Sequence, residues 1–381
     1  MNIGFVTNLR APYRTLQLNE FSEIENLDLS VYYTDKQTDN RVWNVHKANN
    51  FKEIDLVGHK LFKKYGYINE GLINLVKSHD LLILGGYETP TYICLSLLCK
   101  MLKKPYILLF DGISSNRLTL KENLFKKFIK NIVVKNSSYI FGNGKVSKKY
   151  FNQIFSYPTE KIYNQYLTVD SRLINSLYAE KEKYRQGYRK KLGIKENQKV
   201  LIYSGRLIDI KNIDSVIEAL AKVKSSDVVF LIVGGGTLED YIKAKAKALN
   251  IPLIITGFLS EQNEVFKHYF AGDAMILPSI VEPWGLVINE ALIAGLPVIV
   301  SKNCGCADDL VVHGENGYLV DPLDTTDIAK CINSLFFENT KVQYSIKSKE
   351  LAAEWTFENS RKSLESIIEK VKINNVDYLN D

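Results

Sequence analysis

Val228-Val-Phe-Leu-Ile-Val-Gly-Gly-Gly-Thr-Leu-Glu239 reads as a short, wholly apolar, β-branched run that ends in glycines and opens into a helix. A strand covered on both faces has this composition, because neither of its sides meets water and no polar alternation is needed. Runs of the same kind recur around it at Val200 to Tyr203, Leu253 to Thr256, Ala274 to Leu277 and Val298 to Val300. An earlier series comprises Ile3 to Thr7, Leu29 to Tyr33, Leu81 to Leu84, Tyr106 to Phe110, Tyr139 to Phe141 and Ile162 to Leu167. Strand-length runs separated by helix-length segments are the pattern of βαβ units and parallel sheets. The stretch between the series, Asp170 to Lys199, is polar and charged and is expected to hold a linker plus the first helical turns of the second domain. The pattern predicts an α/β chain of two Rossmann-like domains, residues 1–175 and 190–356, facing each other across a cleft. A terminal helix over about 357–381, with Leu364, Ile367, Ile368 and Val371 at helical spacing, is expected to pack back on the first domain.

The length of 381 residues suits two domains with a core each. Hydrophobic and charged fractions of 46% and 24% are those of an ordinary globular chain. No run reaches the roughly 18 apolar residues that span a bilayer, and Ile3 to Val6 is strand-like and not a signal peptide, so a cytoplasmic location is expected. The five cysteines form no C-x-x-C pair, which argues against a zinc site or a disulfide framework and for free, mostly buried thiols. The net charge of +6 is unevenly spread, with clusters at Lys121 to Lys149 and Lys181 to Lys191, but no nucleic-acid recognition motif accompanies it. Within the first cluster, Leu124 to Lys135 mixes basic and apolar residues at helical spacing. Packing of its apolar side on the sheet is the favoured expectation, and peripheral contact with the anionic inner face of the cell membrane is the alternative.

Parallel sheets bind ligands outside the carboxyl ends of their strands, so chemistry is sought in the residues that follow each run. Glu282-Pro-Trp-Gly-Leu-Val-Ile-Asn-Glu290 follows one of them. A strand ending at Pro278, a short loop and a helix from Gly285 would aim unpaired N–H groups and the positive helix end at an anion. Glu282 would then accept hydrogen bonds from sugar hydroxyls, and Glu290 would reach a ribose diol. In Ser204-Gly-Arg-Leu-Ile-Asp-Ile-Lys211, an arginine and a lysine in one loop can bracket a diphosphate. The glycines after Val233 serve a tight turn at least as readily as a ligand, and Thr256-Gly-Phe-Leu259 could offer backbone groups to a nucleobase.

Together with Leu277-Pro-Ser279, Ala294-Gly-Leu-Pro-Val298 and Asn316-Gly-Tyr-Leu-Val320, these motifs stand in family order and spacing, and the second domain resembles the GT-B retaining glycosyltransferases of family four. The resemblance, strong over Val200 to Asp321, implies that Arg206 and Lys211 hold the donor diphosphate, Glu282 binds its sugar and Glu290 its ribose. It implies further donor contacts at Gly285, Leu286, Trp284, Gly235, Phe258 and Leu259, and retention at the anomeric carbon. The first domain departs from the family: Arg10 and Arg14 replace a glycine-rich loop, where either could meet a phosphate or an acidic acceptor. Asp111 stands where many relatives carry a histidine; it orients donor sugar or acceptor nucleophile, or caps the next helix. No Asp-x-Asp occurs, so no divalent metal and no other cofactor is expected beside the co-substrate, a nucleotide-diphosphate sugar. Glycan, lipid-linked or protein acceptors in bacterial surface polysaccharide or glycoconjugate synthesis are implied by analogy. A non-catalytic nucleotide-sugar sensor, or a GT-B epimerase or phosphorylase, is the alternative. The histidines, His46, His59, His79, His268 and His313, are expected to be structural or superficial.

Overall fold

The computed structural model describes residues 1–8, 10–35, 50–62, 66–120, 122–225, 227–337 and 341–380; His46 and Lys121 lie outside the described residues. The chain divides into two α/β units. Unit one comprises Met1–Gly112, Arg117–Leu167 and Phe357–Asp381, and unit two comprises Ile113–Asn116 and Thr168–Thr356.

Unit one runs β1 (Asn2–Thr7), α1 (Pro12–Phe21), β2 (Asp28–Tyr33), β3 (Lys52–Asp55), an antiparallel hairpin of β4 (Gly58–Phe62) and β5 (Gly66–Asn69), α2 (Leu72–Ser78), β6 (Leu81–Leu84) and α3 (Pro90–Met101). It continues through β7 (Tyr106–Phe110), α4 (Leu124–Asn136), β8 (Tyr139–Gly142), α5 (Gly144–Phe155) and β9 (Ile162–Asn164). Its seven-stranded sheet has the order β3-β2-β1-β6-β7-β8-β9, parallel throughout.

Unit two begins with α6 (Ser171–Tyr178) and α7 (Lys181–Lys191) and runs β10 (Lys199–Ser204), α8 (Ile213–Leu220), β11 (Val228–Val233), α9 (Glu239–Ala248), β12 (Leu253–Ile255) and α10 (Gln262–Phe270). β13 (Ala274–Leu277), α11 (Leu286–Ile293), β14 (Val298–Ser301), α12 (Ala307–Leu310), β15 (Gly317–Val320), α13 (Thr325–Phe337) and α14 (Lys341–Glu354) complete it. Its six strands are ordered β12-β11-β10-β13-β14-β15, again all parallel. In each unit the chain order reverses once, between β1 and β6 and between β10 and β13, which are the positions where a doubly wound sheet opens a crevice.

The last helix, α15 (Phe357–Asn380), closes the core of unit one. Its Leu364, Ile367, Ile368 and Val371 join Ile3, Phe5, Leu18, Phe21 and Phe141 in one buried cluster. Truncating such a side chain costs about 2–5 kcal/mol, so this helix is a structural member of unit one and not a loose tail. The charged stretch, expected to hold a linker plus the first helical turns of the second domain, forms two helices of unit two. Arg185 and Arg189, four residues apart on one face of α7, both bind Asp273 at the head of β13 (2.8 Å each). They also donate to the carbonyls of Gly272 (2.8 Å) and Ala271 (3.0 Å). Asp273 in turn accepts from Val200 N–H at 2.9 Å, so the charge serves to fix the sheet.

Candidate functional site

The loops that follow β10 and β13 meet at the switch point of unit two. Ile280 N–H donates to Ile210 C=O (2.9 Å), and Lys211 forms an ion pair with Glu282, which also lies 3.5 Å from the Ser279 hydroxyl. Arg206 is exposed beside them, its carbonyl accepting from the buried Tyr203 hydroxyl at 2.9 Å. Arg206 and Glu282 both act electrostatically on that phenol, which burial pushes up. Three residues past Glu282, Gly285 (φ 100°) turns the chain into α11 in the left-handed region. A Cβ there would come within 2.7 Å of Leu277 Cδ2. The first intrahelical acceptor is Gly285 C=O, taken by Ile288 N–H at 2.8 Å, and the amides of Gly285, Leu286 and Val287 precede it. Two cations, one carboxylate and a helix start therefore share one end of one sheet.

The Glu282 loop is held in place from two sides. Gly305 N–H donates to Glu282 C=O (3.0 Å) and Cys306 N–H to Trp284 C=O (3.2 Å). Ser114, from the short segment that belongs to unit two, accepts from Glu282 N–H (3.3 Å) and donates to Asn303 C=O (2.7 Å). Burial pushes the neighbouring thiols of Cys304 and Cys306 well up, which leaves them inert at neutral pH.

Glu290 lies one turn into α11, half-buried, and accepts from the Tyr269 hydroxyl (2.6 Å), which also contacts Ser204 Oγ (2.8 Å). Burial raises its carboxyl to about 7, while the Tyr269 hydrogen bond pulls the other way. The glycines after β11 serve packing: a Cβ on Gly234 would fall 2.1 Å from Gly205 O. Gly235 C=O accepts from Leu207 N–H at 3.0 Å, and Gly235 lies close to the backbone of Gly257 and Phe258. Phe258 is 77% exposed at its loop tip, with Leu259 next to it. Trp284 is turned inward, against the expectation of a ligand contact: it is 3% exposed, donates its indole N–H to Asn289 (2.9 Å) and packs on Trp355. Only its backbone is left for a ligand.

In unit one, the two arginines after β1 part company. Arg10 stacks over the Tyr33 ring (3.8 Å) and binds Asp55 (2.8 Å) and Glu53 (3.4 Å), so its charge is spent on β3. Arg14 is buried and forms an ion pair with Asp111, with Gln17 and Gln165 packed beneath it. The Tyr13 hydroxyl donates to the other Asp111 oxygen at 3.1 Å. Asp111 is thus a half-exposed carboxylate gripped at the end of β7; it caps no helix. Sequence reasoning missed Tyr13, Tyr269 and Ser114, none of which carries a local signal. Of the histidines, His79 and His268 bond the carbonyls of Leu75 (2.8 Å) and Glu264 (2.6 Å), His313 accepts from Leu319 N–H (3.2 Å), and exposed His59 pairs with Glu70.

Residues 185–351, all within unit two, match the family model described as Glycosyl transferases group 1. N-acetyl-alpha-D-glucosaminyl L-malate synthase of Bacillus anthracis is 34% identical over 142 residues, 37% of this chain and 37% of that protein. Lipopolysaccharide glucosyltransferase WaaG of Escherichia coli is 35% identical over 126 residues, 32% of this chain and 33% of that one. The matched stretch spans about a third of the length of these relatives. Among solved structures, Anabaena HepE in complex with UDP superimposes with a TM-score of 0.73 at 18% identity, covering 97% of this chain and 100% of that chain. Likeness at that identity is one of fold, and the fold of two parallel-sheet α/β units is GT-B.

Proposed function

We propose that the chain is a metal-independent, retaining glycosyltransferase, a reading supported by the match of residues 185–351 to the family model described as Glycosyl transferases group 1. It moves a hexose or related sugar from a nucleotide-diphosphate sugar to a glycan, lipid-linked or protein acceptor in bacterial surface polysaccharide or glycoconjugate synthesis. The observation that carries this reading is the meeting of Arg206, Lys211, Glu282 and the start of α11 at one switch point. In it, Arg206 and Lys211 with the amides of Gly285 and Leu286 take the diphosphate, doing with fixed cations what a divalent ion does elsewhere. Glu282 orients the sugar and Glu290 accepts from the ribose. Phe258 and Leu259, beside Gly235, border the base. The bond from the anomeric carbon to the phosphate oxygen breaks, the acceptor oxygen bonds that carbon on the same face, and the acceptor proton passes to the departing phosphate oxygen. In unit one, Asp111, gripped by Arg14 and Tyr13, accepts a hydrogen bond from a substrate hydroxyl.

UDP, present in the Anabaena structure, is the first nucleotide to test. A thermal-shift panel of UDP- and GDP-sugars is expected to show stabilisation that grows with donor concentration. Arg206→Ala removes a charge-assisted contact worth about 1.5–3 kcal/mol, a roughly ten- to hundredfold loss of donor affinity. Stabilisation undiminished in Arg206→Ala, or donor binding without transfer to any acceptor, would overturn the assignment.

A further inference from the structure

Tyr178, which ends α6, is held between two lysines. Lys181 donates to its hydroxyl at 3.0 Å and lies 4.8 Å from its ring centroid, while Lys349 of α14 stands over the same ring at 3.1 Å. Among the described residues neither ammonium forms an ion pair: Glu180 pairs with Lys183, Glu350 with Lys347 at 3.5 Å, and Glu182 is exposed. Two like charges that share one ring repel, and the ring face offsets this only in part. The phenol registers the excess: burial alone would raise its ionisation, yet Lys349 and then Lys181 bring it below its ordinary value of 10.0.

Gly295, the left-handed residue (φ 72°) that follows α11, marks where these groups meet. A Cβ there would find Ser345 Oγ at 2.9 Å, Lys349 Cε at 3.2 Å and the Tyr178 hydroxyl oxygen at 3.5 Å, so side chains of α6 and α14 converge on one backbone point. All of these residues are partly exposed. Closure of α11 does not account for the lysines. The carbonyls of Glu290, Ala291 and Leu292 accept from the N–H groups of Ala294, Leu296 and Gly295 (2.9, 2.9 and 3.0 Å), and Ser348 donates to Leu296 C=O at 3.0 Å. The cluster is also separate from the proposed diphosphate seat, because the 8 residues of α11 carry the chain about 12 Å away from the Lys211–Glu282 end of the sheet.

We propose that Lys181, Lys349 and the hydroxyls of Tyr178 and Ser345 form an oxyanion site that takes a phosphate group, free or as a monoester. Such a group carries nearly two negative charges to match two ammoniums, and it has oxygens enough for both hydroxyls as well. A carboxylate brings one charge and two oxygens and leaves part of the cluster unmatched. The inference is independent of the transferase reading.

Titration of the full chain with inorganic phosphate, with sodium chloride holding the ionic strength constant, tests it by calorimetry and by the phenolate absorbance of Tyr178. Subtracting spectra of Tyr178→Phe isolates that phenol from the others. Phosphate is expected to bind saturably and to move the Tyr178 midpoint to higher pH, since an anion beside the lysines cancels the charge that lowers it. Lys181→Gln/Lys349→Gln is expected to weaken phosphate binding at least about tenfold, through loss of charge-assisted contacts. Lys349→Gln alone gives a smaller loss with an unchanged thermal midpoint, which keeps the test decisive should the double variant fold poorly. Arg206→Ala leaves this binding in place. Glycerol 3-phosphate bound more tightly than inorganic phosphate assigns the site to monoesters, and the reverse order assigns it to the free ion. No saturable shift of Tyr178, undiminished affinity in the lysine variants, equal binding of acetate, or binding abolished by Arg206→Ala would each overturn the inference.

Discussion

The carboxyl ends of the two sheets each hold a cation–carboxylate pair, in opposite arrangement. After β1 and β7 the cation is behind and the carboxylate in front: the Arg14 side chain is 4% exposed and Asp111 42%. After β10 and β13 the partners Lys211 and Glu282 lie at similar depth, 17% and 13%, with a further exposed cation, Arg206, and a helix start alongside. Unit one presents a fixed negative charge, which suits a hydroxyl donor. Unit two presents an excess of positive charge, which suits a diphosphate. Pairs of the same charge pattern on two parallel sheets thus differ in depth and in what stands beside them.

The strongest way to break this comparison is to remove each partner of the Lys211–Glu282 pair in turn. Lys211→Ala is expected to lose donor binding and turnover together, whereas Glu282→Ala frees Lys211 for phosphate. The second variant should therefore bind UDP at least as tightly as the parent while turnover falls by about 10²–10³-fold, the cost of deleting one preorganised electrostatic contact. Parallel titrations and rate measurements check it; weaker UDP binding by Glu282→Ala would refute the assigned division of labour. In unit one the asymmetry appears in stability. Asp111→Asn strands a buried guanidinium and is expected to cost up to about 3–5 kcal/mol in urea unfolding. Arg14→Met costs less, since the half-exposed carboxylate can turn to water. Equal costs, or the reverse order, would show that the depth difference carries no energetic meaning.

How much of this was legible depended on whether a residue's partner lay in its own segment. Val228–Val233 and Ala274–Leu277 are strands from end to end as read from the sequence, because a strand buried on both faces advertises itself as an unbroken apolar run. β3, Lys-Glu-Ile-Asp, did not advertise itself: it is the exposed edge of its sheet, where charge discourages further pairing. That omission also misdirected Arg10, whose partners Glu53 and Asp55 sit on the unseen strand. Motif spacing located Glu282 and the α11 start but could not tell which way Trp284 turns. Tyr13 finds Asp111 across 98 positions, and Tyr269 sits among Phe266 and Phe270 as one more aromatic of a buried helix face.

Tyr269 supplies the finest adjustment of the comparison, because the carboxylate it hydrogen-bonds, Glu290, holds its proton unusually tightly. Burial lifts the Glu290 carboxyl from its ordinary 4.5 to about 7, so the native chain holds that proton more tightly than the unfolded one. The cost of ionising it is absent in acid, grows as pH rises from the ordinary carboxylate range toward 7 and is constant above. With Glu290 at the ribose as proposed, ribose hydroxyls would donate to the ionised form, so donor affinity is expected to be full above about pH 7 and to fall by up to about tenfold per unit below it. Glu290→Gln should flatten the profile. Tyr269→Phe removes the hydrogen bond that favours the carboxylate, so its midpoint should move to higher pH and its affinity at neutrality should drop. Donor dissociation constants measured across the neutral range decide this. A flat profile in the parent would detach Glu290 from the ribose, and an unmoved midpoint in Tyr269→Phe would reduce the phenol to a packing role.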